Sequence, residues 1–170
     1  KMATKLGLKT EFLATDWRRG ADPQAIEDRL RADTDGKIKA VCVVHNETST
    51  GSTSAIAEVR AAIDIVSHDA LLLVDTISSL ASIDFRHDEW GVDVTVSGSQ
   101  KGLMLPPGLS FNAVSEKALS VSNAAGMRRS YWDWSEQIAA NADGAFPYTP
   151  APNLLYGLAA VSYTHLRAHE

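Results

Sequence analysis

At 170 residues the chain is the size of one domain, long enough for a substantial core and too short for two full domains. A hydrophobic content of 45% with 22% charged residues suits a globular protein, and a net charge of -5 gives no reason to expect nucleic acid or an anionic membrane as a partner. No apolar run approaches the ~20 residues that span a bilayer, and the single cysteine, Cys42, excludes an internal disulfide and agrees with a cytoplasmic location.

Taken in chain order, residues 10–14 read as a short strand. Asp22-Pro23 then opens a helix, with Asp22 as its cap and Pro23 in its first turn, and Ile26 and Leu30 form its buried stripe. Residues 38–44 are a near-continuous apolar run, which predicts a strand covered on both faces with Cys42 buried and inert. After a polar turn at 45–51, Ile56, Val59, Ile63 and Val66 recur at helical spacing. Residues 71–74 predict a second buried strand ending at Asp75, residues 92–96 a third and 109–114 a fourth. Helices are predicted over 115–121 and 131–140. This alternation predicts an α/β fold, a three-layer αβα sandwich with a mostly parallel sheet. The pattern alone names no reaction.

Ligands of open α/β sheets bind beyond the carboxyl ends of the strands, and three polar clusters stand there: 45–51, 75–79 and 97–102. Asp75 follows four apolar residues, which predicts a carboxylate near a low-dielectric interior, in need of a partner or serving as a cap. Lys101 lies between a Gly/Ser-rich turn and the apolar, proline-bearing stretch 103–108. Burial there would lower its pKa from the usual ~10.4 and free the amine as a nucleophile; an ordinary surface lysine is the alternative. An acid at one strand end and a lysine after another suit pyridoxal 5'-phosphate, whose ring nitrogen wants an anion and whose aldehyde wants an amine. His45 reads as a structural strand-end histidine rather than a proton shuttle. His87-Asp88-Glu89 reads as a solvated turn, so no metal is expected. Tyr131, Trp132 and Trp134 read as helix packing or subunit contact. No Gly-rich phosphate loop of the P-loop or dinucleotide type is present.

The runs VHNETSTG (44–51), LLLVDTISSL (71–80), DEWGVDVTVSGSQKGLMLPPGL (88–109) and FPYTPAPNLLYGL (146–158), in this order, resemble the class V, fold-type-I pyridoxal-phosphate aminotransferases, in the serine–glyoxylate and alanine–glyoxylate branch. The resemblance covers about residues 1–161, the middle of the large cofactor-binding domain, and leaves 162–170 as an unrelated tail. It implies amino transfer from L-serine or L-alanine to glyoxylate. By position, Lys101 resembles the lysine that bonds the cofactor and then moves the proton, and Asp75 the acid that pairs with the ring nitrogen. Thr48 matches a residue near the ring oxygen, Ile77 one that packs a ring face, and Gln100 a phosphate contact. Thr149 matches a threonine that reaches the neighbouring subunit's phosphate, which implies a homodimer. Phe146 lacks the hydroxyl that some relatives carry there and receives no role.

The start at Lys1 rather than methionine, and the missing phosphate-cupping loop, ring-stacking aromatic and carboxylate-clamping arginine, predict an internal piece of a longer enzyme. Two alternatives stand beside this reading. A cysteine desulfurase would carry histidine before the lysine and a mobile cysteine; here Gln100 precedes Lys101 and Cys42 falls in a predicted strand. A non-catalytic α/β binding module would keep the fold without the chemistry.

Overall fold

The computed structural model describes residues 2–166. After a single turn of helix, α1 (Met2–Lys5), the chain runs without regular structure to α2 (Pro23–Arg31). Asp22 caps α2 as predicted, its side chain accepting from the amides of Gln24 and Ala25. The strand expected over 10–14 does not form: these residues are exposed and unpaired, Phe12 among them at 85%. Short apolar content is insufficient where no neighbouring strand supplies ladder partners. Glu11 is held instead by a 2.8 Å ion pair to Arg29 of α2.

Four strands follow: β1 (Ala40–Val44), β2 (Leu71–Asp75), β3 (Val94–Gly98) and β4 (Ser110–Val114). They pair in the order β1-β2-β3-β4, with β1, β2 and β3 parallel and β4 antiparallel at the end. The α/β class and the mostly parallel sheet are as predicted. Helix α3 (Ile56–Ile65) crosses between β1 and β2, and Val66 falls just past its end. Ile26 and Leu30 of α2 join Val59 and Ile63 of α3, Val43 of β1 and Leu72 and Val74 of β2 in one core.

Register explains which residues face that core. Successive side chains alternate between the two faces of a strand, so Val43 and Val74, paired across the ladder, point toward α2 and α3. Cys42, Val44 and Asp75 point the other way and are exposed. Two expectations are corrected here. Cys42 is not buried, although partial desolvation still pushes its thiol up. Asp75 does not border the apolar interior: at the carboxyl end of β2 it stands exposed.

Beyond the sheet, Ser115 caps α4 (Glu116–Ala124). The predicted helix at 131–140 is divided: Ser130–Trp132 is a 3-10 turn, and α5 (Trp134–Ala142) begins after the Asp133 cap. Tyr131 and Trp132 are exposed rather than packed in a helix, and Tyr131 lies 4.7 Å from the ring of Tyr148. Helix α6 (Pro152–Val161) continues as a π-helical turn over Ser162–Leu166. The remaining residues of the expected tail, 167–170, lie outside the described residues, as does Lys1.

Candidate active site

The three polar clusters are joined by named hydrogen bonds at the carboxyl ends of β1, β2 and β3. Between the first and second, the His45 amide donates to the Asp75 carbonyl at 2.9 Å. The Ser78 hydroxyl donates to the Asn46 carbonyl at 2.6 Å, and His45 Nδ1 meets Ser79 Oγ at 2.9 Å. Between the second and third, the Thr76 amide and hydroxyl both donate to the Val96 carbonyl, at 2.8 and 3.1 Å. The ends of the three strands thus lie side by side.

Asp75 ends β2, and one of its carboxylate oxygens accepts the Ile77 amide at 2.9 Å. That contact is local and neutral, the turn-capping alternative rather than a salt bridge, and it leaves the other oxygen available. Ile77 and Gln100 converge over Gly98, the last residue of β3. A Cβ at position 98 would stand 2.8 Å from Gln100 Oε1 and 3.3 Å from Ile77 Cδ1, so a larger residue there would push the flexible Gln100 carboxamide aside.

Lys101 follows Gln100 in the loop 99–109. The loop is closed on itself by Ser99, which is fully buried: its hydroxyl donates to the Pro106 carbonyl at 2.7 Å and accepts the Leu109 amide at 3.2 Å. Its outer side is pressed against the turn after β2, where Gly102 approaches Leu80 so closely that a Cβ would lie 2.1 Å from that carbonyl oxygen. Leu105 in turn approaches Gly157 of α6. The burial proposed for Lys101 is not found: the residue is exposed, and among the described residues it has no ion-pair partner. The loop is rigidly anchored while its lysine is free.

Thr48 is exposed on the tight turn 47–51, which closes by a 2.7 Å bond from the Gly51 amide to the Glu47 carbonyl and needs Gly51 at φ 74. Thr149 is exposed just ahead of α6, and no hydrogen bond ties it to the other candidates among the described residues. His45 is buried at 2% exposure, between Phe85 and Trp90 at ring separations of 5.2 and 6.2 Å. Burial pushes its imidazole toward the neutral form, with Asp84 opposing, in keeping with a structural histidine. His87 meets Thr95 Oγ1 at 2.7 Å, and among the described residues no three His, Cys, Asp or Glu side chains converge as metal ligands.

Sequence reasoning passed over Ser79, Ser99 and Gly102. Ser79 acquires meaning only from its contact with His45, 34 residues away. Gly102 stands next to Lys101, which is a signal in itself, but its reason is the close approach to Leu80. We expect Gly102→Ala to force the Lys101 loop off that turn at a cost of about 1–3 kcal/mol. Thermal unfolding should record the loss, with cofactor binding weakened in parallel.

The sequence profile of the family described as Aminotransferase class-V matches residues 1–163. Serine–glyoxylate aminotransferase of Methylorubrum extorquens is 52% identical over 162 residues, covering 92% of this chain and 40% of the relative. L-aspartate–glyoxylate aminotransferase of Paracoccus denitrificans is 45% identical over 159 residues, covering 94% of the chain and 40% of the relative. Among solved structures, alanine–glyoxylate aminotransferase from Nostoc sp. superimposes with a TM-score of 0.84 at 27% identity, over 99% of this chain and 44% of that one. The chain thus spans about 40% of the length of the curated relatives it matches. With a match that takes in nearly every residue, including each of the four motif runs, the chain belongs to the class-V aminotransferase family.

Proposed function

We propose that this chain forms the middle of the large domain of a longer, homodimeric pyridoxal-phosphate transaminase, which moves an amino group from L-serine or L-alanine to glyoxylate and releases glycine and a 2-oxo acid. The reading rests on one observation above all. An exposed carboxylate with an oxygen to spare, an apolar side chain, a carboxamide and an exposed amine are gathered at the ends of the adjacent parallel strands β2 and β3. Those groups are of the chemical kinds that the cofactor's ring, phosphate and aldehyde call for.

Pyridoxal phosphate, when bound, supplies an aldehyde for an amine and a cationic ring that takes up the electrons released at the substrate's Cα. Lys101 would hold the aldehyde through Nζ, and, once displaced by substrate, move the proton between Cα and the aldehyde carbon as general base and then acid. The free oxygen of Asp75 would keep the ring nitrogen protonated. Ile77 would cover one ring face and Thr48 would donate to the ring oxygen. Gln100 would donate to the phosphate, and Thr149, exposed ahead of α6, would reach the phosphate of the partner subunit.

These three relatives support glyoxylate as acceptor more firmly than any donor: serine, aspartate and alanine differ among them while glyoxylate recurs. The desulfurase alternative gains nothing from Cys42, which is held within β1 rather than on a loop. No helix among the described residues is long and apolar enough to cross a membrane. The test is to add pyridoxal phosphate to the full-length parent, reduce with borohydride and map the modified peptide. Label on Lys101 is expected; label on another lysine, or none, refutes the assignment.

A further inference from the structure

We propose that His45 and Ser79 form a positioning pair that aims the Asp75 carboxylate at the cofactor's ring nitrogen. This rests on the reading of Asp75 given above and extends it to two residues that do not touch the ring.

The direction of the Asp75 carboxylate depends on the turn that follows it. Asp75 is exposed at a strand end, and its side chain accepts a single described hydrogen bond, from the amide of Ile77 two residues on. Whatever holds the turn 75–80 therefore decides where both the carboxylate and the Ile77 side chain point. Toward β3 the turn is held by Thr76, whose amide and hydroxyl both donate to Val96. Internally it is closed by the amides of Ser79 and Leu80, which donate to the Thr76 carbonyl at 3.1 and 2.9 Å.

Toward β1 the side-chain ties are Ser78 to Asn46 and Ser79 to His45, and only the second is fully enclosed. Ser79 is 0% exposed and His45 is 2% exposed. An enclosed polar pair is directional in a way that apolar packing is not, because each partner satisfies the other and neither can turn to water. The imidazole cannot swing away, since Phe85 and Trp90 flank it. Its own backbone is fixed at both ends, the amide on the Asp75 carbonyl and the carbonyl on the Ser54 amide at 2.8 Å. His45 thus grips the turn twice, at its first residue through the backbone and at its fifth through the ring. A hinge held at both ends cannot pivot about Asp75.

A packing role alone predicts a different outcome, because an apolar ring at position 45 would fill the same space against Phe85 and Trp90. The experiment uses the full-length parent loaded with pyridoxal phosphate carrying nitrogen-15 in the ring, so that the ring nitrogen's protonation is read directly by its NMR shift. Asp75→Asn sets the shift of the ring without its acid. Ser79→Ala, which removes one oxygen, is expected to keep the visible absorption band and move the shift part of the way toward that reference. Its kcat should fall about 10-fold, the size of effect one hydrogen bond can have, with KM for the amino donor little changed. His45→Phe should move the shift in the same direction, and Ser79→Cys should recover part of it. A ring-nitrogen shift unchanged in both Ser79→Ala and His45→Phe overturns the proposal, even if activity drops, because the pair then only packs. A shift that does not respond to Asp75→Asn itself overturns the reading of Asp75, and so identifies which of the two claims has failed.

Discussion

Replacing Lys101 by alanine in the full-length parent is expected to abolish the visible absorption band of the bound cofactor and to lower transamination by at least about 1000-fold. In the role proposed for it the lysine would have two duties, and the substitution would remove both. As the covalent attachment it would present the cofactor ready for exchange with the substrate's amine, and as general base it would take the Cα proton, a role that by itself contributes typically about 100- to 10,000-fold. Both duties would fall to one flexible side chain. The backbone around it is anchored, with Ser99 closing the loop beneath it and Gly102 pressed against Leu80, while the amine is exposed. Steady-state rates and an absorption spectrum check the outcome together. Retention of the band in Lys101→Ala, or a loss of only a few-fold in rate, would contradict the assignment. Added small amines should restore part of the rate, since they replace the proton acceptor without replacing the tether.

Asp75→Asn is expected to lower kcat by about 100- to 1000-fold, the range found when one preorganised charge-stabilising group is removed, while the band persists because Lys101 is intact. The amide occupies the same volume and can still accept from the Ile77 amide, so the turn should survive. What it cannot do is balance a positive charge on the ring nitrogen. The cost should fall on the step that releases the Cα proton, so the kinetic isotope effect with Cα-deuterated amino acid should rise above that of the unmodified enzyme. An unchanged isotope effect with a raised KM would assign Asp75 to substrate binding instead.

These two residues also show how much the amino-acid order disclosed. The run 71–75 announces a strand that ends in an acid, and the structure has β2 over Leu71–Asp75 with the acid at its carboxyl end. The string 97–102 places a lysine after a Gly/Ser turn, and β3 ends at Gly98, leaving Lys101 beyond it. Local patterns suffice for such features because they depend on alternation, capping and breaking within a few residues. Asp22 before Pro23 and Ser115 before Glu116 cap their helices for the same reason. Where the reading failed, the missing information was long-range. The apolar stretch at 10–14 had strand composition but no partner. Cys42 had a buried strand's neighbours but the outward register. Asp75 was placed nearer the interior than it is, and of the two environments open to Lys101 the structure has the exposed one.

By itself, then, the order of residues determined the α/β class, the succession of strands and helices, and the positions of an acid and an amine at strand ends, since each depends on contacts close along the chain. Tertiary structure decided which face each strand residue takes, why residue 102 must be glycine, and that His45 grips the turn bearing Asp75. Those outcomes depend on segments tens of residues apart meeting at a distance of a few ångströms, and no local pattern encodes that distance.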